Sequence, residues 1–83
     1  MGNKKFEKLC LDFVLNYYLK RNHIIVPDDV YIVWICKTLQ NNKALVSTNV
    51  HDGMYFEITH NGDKNETYVD VYKKQENIVL KGE

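Results

Sequence analysis

Apolar positions are spaced differently in the two parts of this chain. In the first, Phe6, Leu9, Cys10, Phe13, Val14 and Tyr17 recur at i, i+3, i+4, i+7, i+8 and i+11, the stripe of an amphipathic helix. Asn3 is an N-cap residue by type. Lys20 and Arg21 suit the negative end of a helix dipole, and Asn22 tolerates the left-handed conformation that ends a helix. The pattern predicts a helix over about 4–21. From Val30 onward, runs rich in Val, Ile, Tyr and Thr are separated by Asn41-Asn42, Asp52-Gly53 and Asn61-Gly62. These are turn signals between strands, predicted at about 30–39, 43–50, 54–60 and 66–73. The fold class that follows is α+β: a single domain, residues 1–83, with one N-terminal helix packed on a four-stranded antiparallel β-meander.

The turns also predict which residues face one another. At Asp52-Gly53, a loop of His51-Asp52-Gly53 with glycine in a left-handed bulge pairs Val50 with Met54, Thr48 with Phe56 and Val46 with Ile58. That register gathers the apolar residues on one face, whereas a two-residue loop mixes in Asn49. A two-residue turn at Asn61-Gly62 pairs Phe56 with Thr67 and Met54 with Val69. The core face then holds Val46, Val50, Met54, Phe56, Ile58, Val69 and Val71. The opposite face holds Tyr55, Glu57, Tyr68, Asp70 and Tyr72, with Tyr55 beside Tyr68 and Glu57 opposite Glu66. Asn41-Asn42 decides less. A two-residue loop puts Trp34 and Cys36 with the tyrosines and Lys37 with the core set; a three-residue loop reverses this, and the cost of burying a lysine favours it. A last run, Ile78-Val79-Leu80, either pairs at a sheet edge or packs.

One feature of the helix exceeds what a single sheet requires. Leu11, Leu15, Tyr18 and Leu19 form a second stripe about a third of a turn from the first, beyond the roughly 100° that one buried face occupies. Either His23-Ile24-Ile25-Val26 folds back over it, before the turn at Pro27-Asp28-Asp29, or it meets another subunit. Leu11, Leu15, Tyr18 and Tyr72 are accordingly the expected oligomer contacts, and a homodimer is the expected state.

Composition narrows the classes. With 83 residues and 45% apolar content, the chain is a small globular domain, marginally stable by itself. Its 11 basic and 11 acidic residues balance, which argues against a nucleic-acid or membrane-surface protein. No stretch has the apolar length of a membrane span, and Glu7, Lys8 and Asp12 interrupt any secretion signal. The expected compartment is the cytoplasm. Cys10 and Cys36 lie 26 positions apart without a CxxC; two small buried apolar residues are the plain reading, with no metal expected.

Signatures of catalysis are missing: there is no GxSxG, P-loop, GxGxxG or HExxH. His23, His51 and His60 fall at the helix exit, in a turn and at a turn edge, where histidines are solvated. Glu57 and Glu66 could act as an acid–base pair, but a flat sheet face does not exclude water. No enzyme activity, catalytic residue or cofactor is expected. Trp34, Tyr55 and Tyr68 could stack bases, yet Glu57, Glu66 and Asp70 repel a phosphate chain. Aromatic rings with a polar rim suit a protein interface better. The expected binding residues are Trp34, Tyr55, Glu57, Glu66, Tyr68 and Asp70.

Three segments carry a family resemblance. They are Val-Tyr-Ile-Val-Trp-Ile-Cys-Lys-Thr-Leu-Gln-Asn-Asn-Lys-Ala-Leu-Val-Ser-Thr from Val30, Asp-Gly-Met-Tyr-Phe-Glu-Ile-Thr-His-Asn-Gly-Asp-Lys from Asp52, and Tyr-Val-Asp-Val-Tyr-Lys-Lys from Tyr68. Together with the preceding helix, they resemble an uncharacterised family of small proteins from phages and prophages of Gram-positive bacteria. The resemblance implies a phage accessory protein in the bacterial cytoplasm and brings no assigned activity or site. Proteins of that kind act by stoichiometric binding. The expected function is therefore non-enzymatic binding and inhibition of a host protein, with a bacterial defence component among the candidates. The alternatives are a nucleotide-signal sponge held between subunits and a nucleic-acid-binding module.

Overall fold

The structure is a computed structural model that describes residues Met1–Gly82. It contains one helix, α1 (Asn3–Leu19), a short 3-10 turn (Pro27–Asp29), and four strands: β1 (Val30–Thr38), β2 (Asn41–Thr48), β3 (Met54–Asn61) and β4 (Glu66–Lys73). The strands form one antiparallel sheet in the order β1-β2-β3-β4, the meander that the turn signals predict.

Helix α1 forms where its apolar period demands. Phe6, Cys10, Val14 and Tyr18 are buried, and Leu9, Phe13 and Tyr17 pack beside them. Its start differs from expectation: Gly2 occupies the N-cap and Asn3 lies inside the first turn. It ends at Leu19, so Lys20 and Arg21 follow the helix and do not lie in its last turn, while Asn22 is left-handed (φ 59°) as expected. The His23 N–H then reaches back to the Tyr18 carbonyl at 2.9 Å, the long-range link of a Schellman ending. Tyr18 thus belongs to the core of the subunit, not to the stripe offered to a second copy. Leu11 and Leu15 are half-buried. The His23–Val26 segment runs beside Leu15 and Leu19 with Ile25 turned inward. Ile24 remains 82% exposed and Leu19 55%, so the second stripe is only partly covered.

The three hairpins use loops different from those the turn dipeptides point to, and the registers move accordingly. At β1–β2 the turn is Leu39-Gln40, with Leu39 left-handed (φ 56°), while Asn41 and Asn42 are strand residues. An extra residue, Val33, bulges between the Ile32↔Val46 and Trp34↔Leu45 pairs. The two-residue turn sets Trp34 and Cys36 away from the helix and Ile35 toward it; beyond Trp34 the bulge shifts the alternation by one residue, so Ile32 also faces the helix and Tyr31 faces away. Lys37 does share the helix side, opposite Asn42, but lies exposed. The desolvation cost that argued for the three-residue register is therefore never incurred.

At β2–β3 the loop is residues 49–53 and Val46 pairs with Phe56. Gly53 is left-handed (φ 72°), as the bulge argument requires, but Val50 belongs to the loop. At β3–β4 the loop is residues 62–65 and Phe56 pairs with Val71. The Asn61 carboxamide oxygen accepts the N–H groups of Asp63 and Lys64 at 3.1 and 3.2 Å. Asn65, not glycine, takes the left-handed position (φ 51°). Both corrections move the pairing by an even number of residues, so no side chain changes face. Val46, Phe56 and Ile58 are fully buried with Ala44; Val50, Met54 and Val69 pack beside them; Val71, on the β4 edge, remains 43% exposed.

Candidate functional site

Helix α1 covers one face of the sheet and leaves the other open. The strand pairs place the open face in cross-strand rows: Tyr31–Ser47–Tyr55–Tyr72, Trp34–Leu45–Glu57–Asp70, and Cys36–Lys43–Thr59–Tyr68. Glu66 lies at the end beyond them, opposite Asn61. The sequence-predicted binding residues Trp34, Tyr55, Glu57, Glu66, Tyr68 and Asp70 therefore share one surface, and Tyr72 lies with them. Trp34, Tyr68 and Tyr72 expose 41–51% of their area, high for large rings.

Two expected neighbour relations are replaced. Tyr55 sits beside Tyr72 and Tyr68 beside Thr59, because the longer β3–β4 loop slides β4 along β3. For the same reason Glu57 faces Asp70 and not Glu66. Two carboxylates still oppose each other, which is unfavourable in a sheet. Lys43 offsets this, its Nζ lying 3.5 Å from Glu57 Oε2.

Hydroxyl groups hold the rings in place. Tyr72 donates to Glu57 Oε1 at 3.3 Å and Tyr68 donates to Glu66 Oε1 at 2.8 Å. The negative charge of Glu57 raises the Tyr72 pKa above its ordinary value, and the bond to Glu66 does the same for Tyr68. Both therefore stay protonated as donors at neutral pH. Tyrosine rings fixed by a carboxylate have less rotameric freedom to lose when a partner docks. Lys43, Leu45 and Tyr31 complete the surface. They were not singled out from sequence, although the alternation around buried Ala44 and Val46 places Lys43 and Leu45 opposite the core.

The other titratable groups lie elsewhere. His60 is buried, its Nδ1 3.0 Å from Thr67 Oγ1, so the solvated turn histidine expected there is a core residue. The His23 ring meets Tyr18 edge-on at 5.5 Å, and His51 is exposed in the β2–β3 loop. Cys10 is buried as expected, but Cys36 is exposed on the open face because the Leu39-Gln40 turn pairs it with Lys43 on that side. Among the described residues, no group of three His, Cys, Asp or Glu side chains is placed to hold a metal ion, and no helix is long and apolar enough to cross a membrane.

A cleft of about 610 Å³ opens beside the β2–β3 loop, lined in part by Tyr31, Ser47, Tyr55, His51 and Lys74. Ser47, nearly buried, separates the two tyrosines in their row. It donates to the Met54 carbonyl at 2.8 Å.

Comparison with curated proteins and with solved structures gives no match. Residues 7–82 match the model of a family of unknown function, DUF6275, and the chain belongs to that family.

Proposed function

We propose that this protein is a non-enzymatic binding protein that docks a protein partner on its open sheet face and inhibits it. The observation that carries the reading is the uncovered aromatic face itself: Trp34, Tyr68 and Tyr72 half exposed around the Lys43–Glu57 pair. Interface hot spots draw on tryptophan and tyrosine, ringed by polar groups that exclude water. Glu57 and Glu66 on this surface are engaged by tyrosine hydroxyls and a lysine, an arrangement suited to recognition more than to proton transfer. The likeness of Val30–Ile78 to small phage and prophage proteins supplies the context of a host factor in the bacterial cytoplasm, a defence component among the candidates.

The test is affinity capture from a bacterial lysate, followed by binding measurements with the isolated partner. Trp34→Ala and Tyr68→Ala should each weaken binding by about tenfold or more, with folding unchanged. Equal affinity for wild type and both variants rejects the face. Retention of DNA or RNA that falls steeply with salt would point to the nucleic-acid reading instead.

A second reading, a small-molecule binder, is favoured by the cleft at Tyr31, Ser47 and Tyr55. Its volume is that of a small-ligand site, and Lys74 offers positive charge at its rim. A nucleotide that binds there raises the melting temperature in proportion to the logarithm of its concentration, and Ser47→Leu abolishes the shift.

A further inference from the structure

Residues 74–82 follow β4 without helix or strand. The start is held by the Lys74 N–H on the Gly53 carbonyl at 2.7 Å. Beyond it, Ile78, Val79 and Leu80 expose 67%, 74% and 88% of their area. Three consecutive large aliphatic residues left in water are costly. On the far side of the sheet, β1 has a free edge. It is the most apolar strand, Val-Tyr-Ile-Val-Trp-Ile-Cys-Lys-Thr, and its unpaired N–H and C=O groups are a template for another strand. The edge of β4, by contrast, carries Glu66, Asp70 and Lys73.

We propose that the 76–81 segment of one copy pairs antiparallel with the β1 edge of a second copy, and reciprocally, forming a two-fold dimer by exchanged strands. Charge selects the direction. Antiparallel pairing over the 32–37 stretch sets Glu76 opposite Lys37, an opposite-charge pair, whereas parallel pairing over the same stretch sets Lys81 opposite Lys37. In this register Asn77 faces Cys36 and Ile78 faces Ile35, and the aliphatic run meets the uncharged part of β1. Area supports the same partner. Each tail presents roughly 400 Å² from its three aliphatic residues. Two tails with matching area on two edges bury at most about 1,600 Å², which reaches the size class of stable interfaces. In this register Val79 lies opposite Trp34 and Asn77 opposite Cys36, so the added strand extends the open face at its β1 edge.

The test is light scattering of the full chain after size exclusion, beside Val79→Pro. Proline removes the backbone donor a strand needs, and at an exposed position it cannot unfold the domain. Wild type should be a dimer at about 10 µM and the variant a monomer with an unchanged far-UV spectrum. A wild-type monomer at about 200 µM, or a dimer that survives Val79→Pro, overturns the proposal. In a second measurement, Asn77→Cys is oxidised in the presence of native Cys36, whose thiol is exposed. A covalent dimer on a denaturing gel supports the exchange; a link within one chain, or none, overturns it.

Discussion

The Tyr18 hydroxyl donates to Asp52 Oδ2 at 2.6 Å, joining the last turn of α1 to the β2–β3 loop 34 residues later. Asp52 Oδ1 meanwhile accepts the Met54 N–H at 3.2 Å. One carboxylate thereby fixes both the helix end and the first residue of β3. Tyr18→Phe keeps the ring contacts with Phe56 and Tyr17 and removes only the hydroxyl. A hydrogen bond to a carboxylate contributes about 1.5–3 kcal/mol, so the variant should melt roughly 6–24 °C lower, at about 4–8 °C per kcal/mol for a domain of this size. Calorimetry of the two proteins measures the difference; a change below about 2 °C would show that the bond is not holding the loop.

Alkaline pH should unfold the protein through two buried protons. Burial, with a smaller contribution from the charge of Glu7, pushes the Cys10 thiol from 9.0 up to about 12. Burial and the bond to Asp52 push Tyr18 from 10.0 up to about 12. Both groups bind their protons more tightly folded than unfolded. Their stabilising contribution is therefore complete below pH 9 and lost as pH rises from 9 through 12. Urea midpoints should fall across that window. The Cys10→Ala, Tyr18→Phe double variant should show a flatter profile, and identical slopes would contradict it.

The thiols should also differ in reactivity at neutral pH. Only a thiolate attacks a maleimide, and Cys10 is both buried and held protonated. Cys36 is exposed on the open face. Mass spectrometry after brief labelling of the native protein should find a single adduct, at Cys36, and two after denaturation.

Gly62 carries a steric requirement. Its N–H donates to the Gln40 carbonyl at 3.1 Å, and an added Cβ would overlap that same oxygen. The β3–β4 loop thus rests directly on the β1–β2 turn. Gly62→Ala must move one of the two backbones, at about 1–3 kcal/mol, a typical cost of overpacking. Gly2→Ala meets nothing within 4 Å and should be neutral, so the pair of variants separates contact from general glycine effects in thermal melts.

These residues also show how far the chain could be read. The helix stripe and the strand runs were legible because burial imposes periods of 3.6 and 2 on apolar side chains. Face assignments in β2, β3 and β4 survived wrong loop lengths because the errors were even-numbered. The loops themselves were not legible from dipeptides. Gly62 is required by the approach of Gln40, a residue distant in sequence, while the left-handed positions fall to Leu39 and Asn65. The turn lies at Leu39-Gln40, before Asn41, and decides that Trp34 and Cys36 join the tyrosine face; the Val33 bulge, which has no local signal, then brings Tyr31 to that face and Ile32 to the core. The open face was found from composition and parity. Its pairing was not, because the sliding of β4 depends on the four-residue loop 62–65.

The open face should be stabilised little by its own polar contacts. Tyr68, Tyr72 and Glu66 are exposed and Glu57 is partly covered, so bonds among them are weakened by water and contribute little. Tyr68→Phe and Tyr72→Phe should therefore leave the melting temperature within about 2–3 °C of wild type, the range of surface substitutions. Both keep the ring that a partner would bury and lose the hydroxyl that orients it, so each should weaken a partner less than the corresponding alanine. Lys43→Glu acts differently. It replaces the cation beside Glu57 with a third carboxylate, next to Glu57 and Asp70 in the central rows. It should lower stability by about 1 kcal/mol through like-charge repulsion across strands, and added salt should restore part of the loss by screening. Urea unfolding at low and high ionic strength reads both effects. A variant as stable as wild type in dilute buffer would mean that Lys43 does not offset the opposed carboxylates.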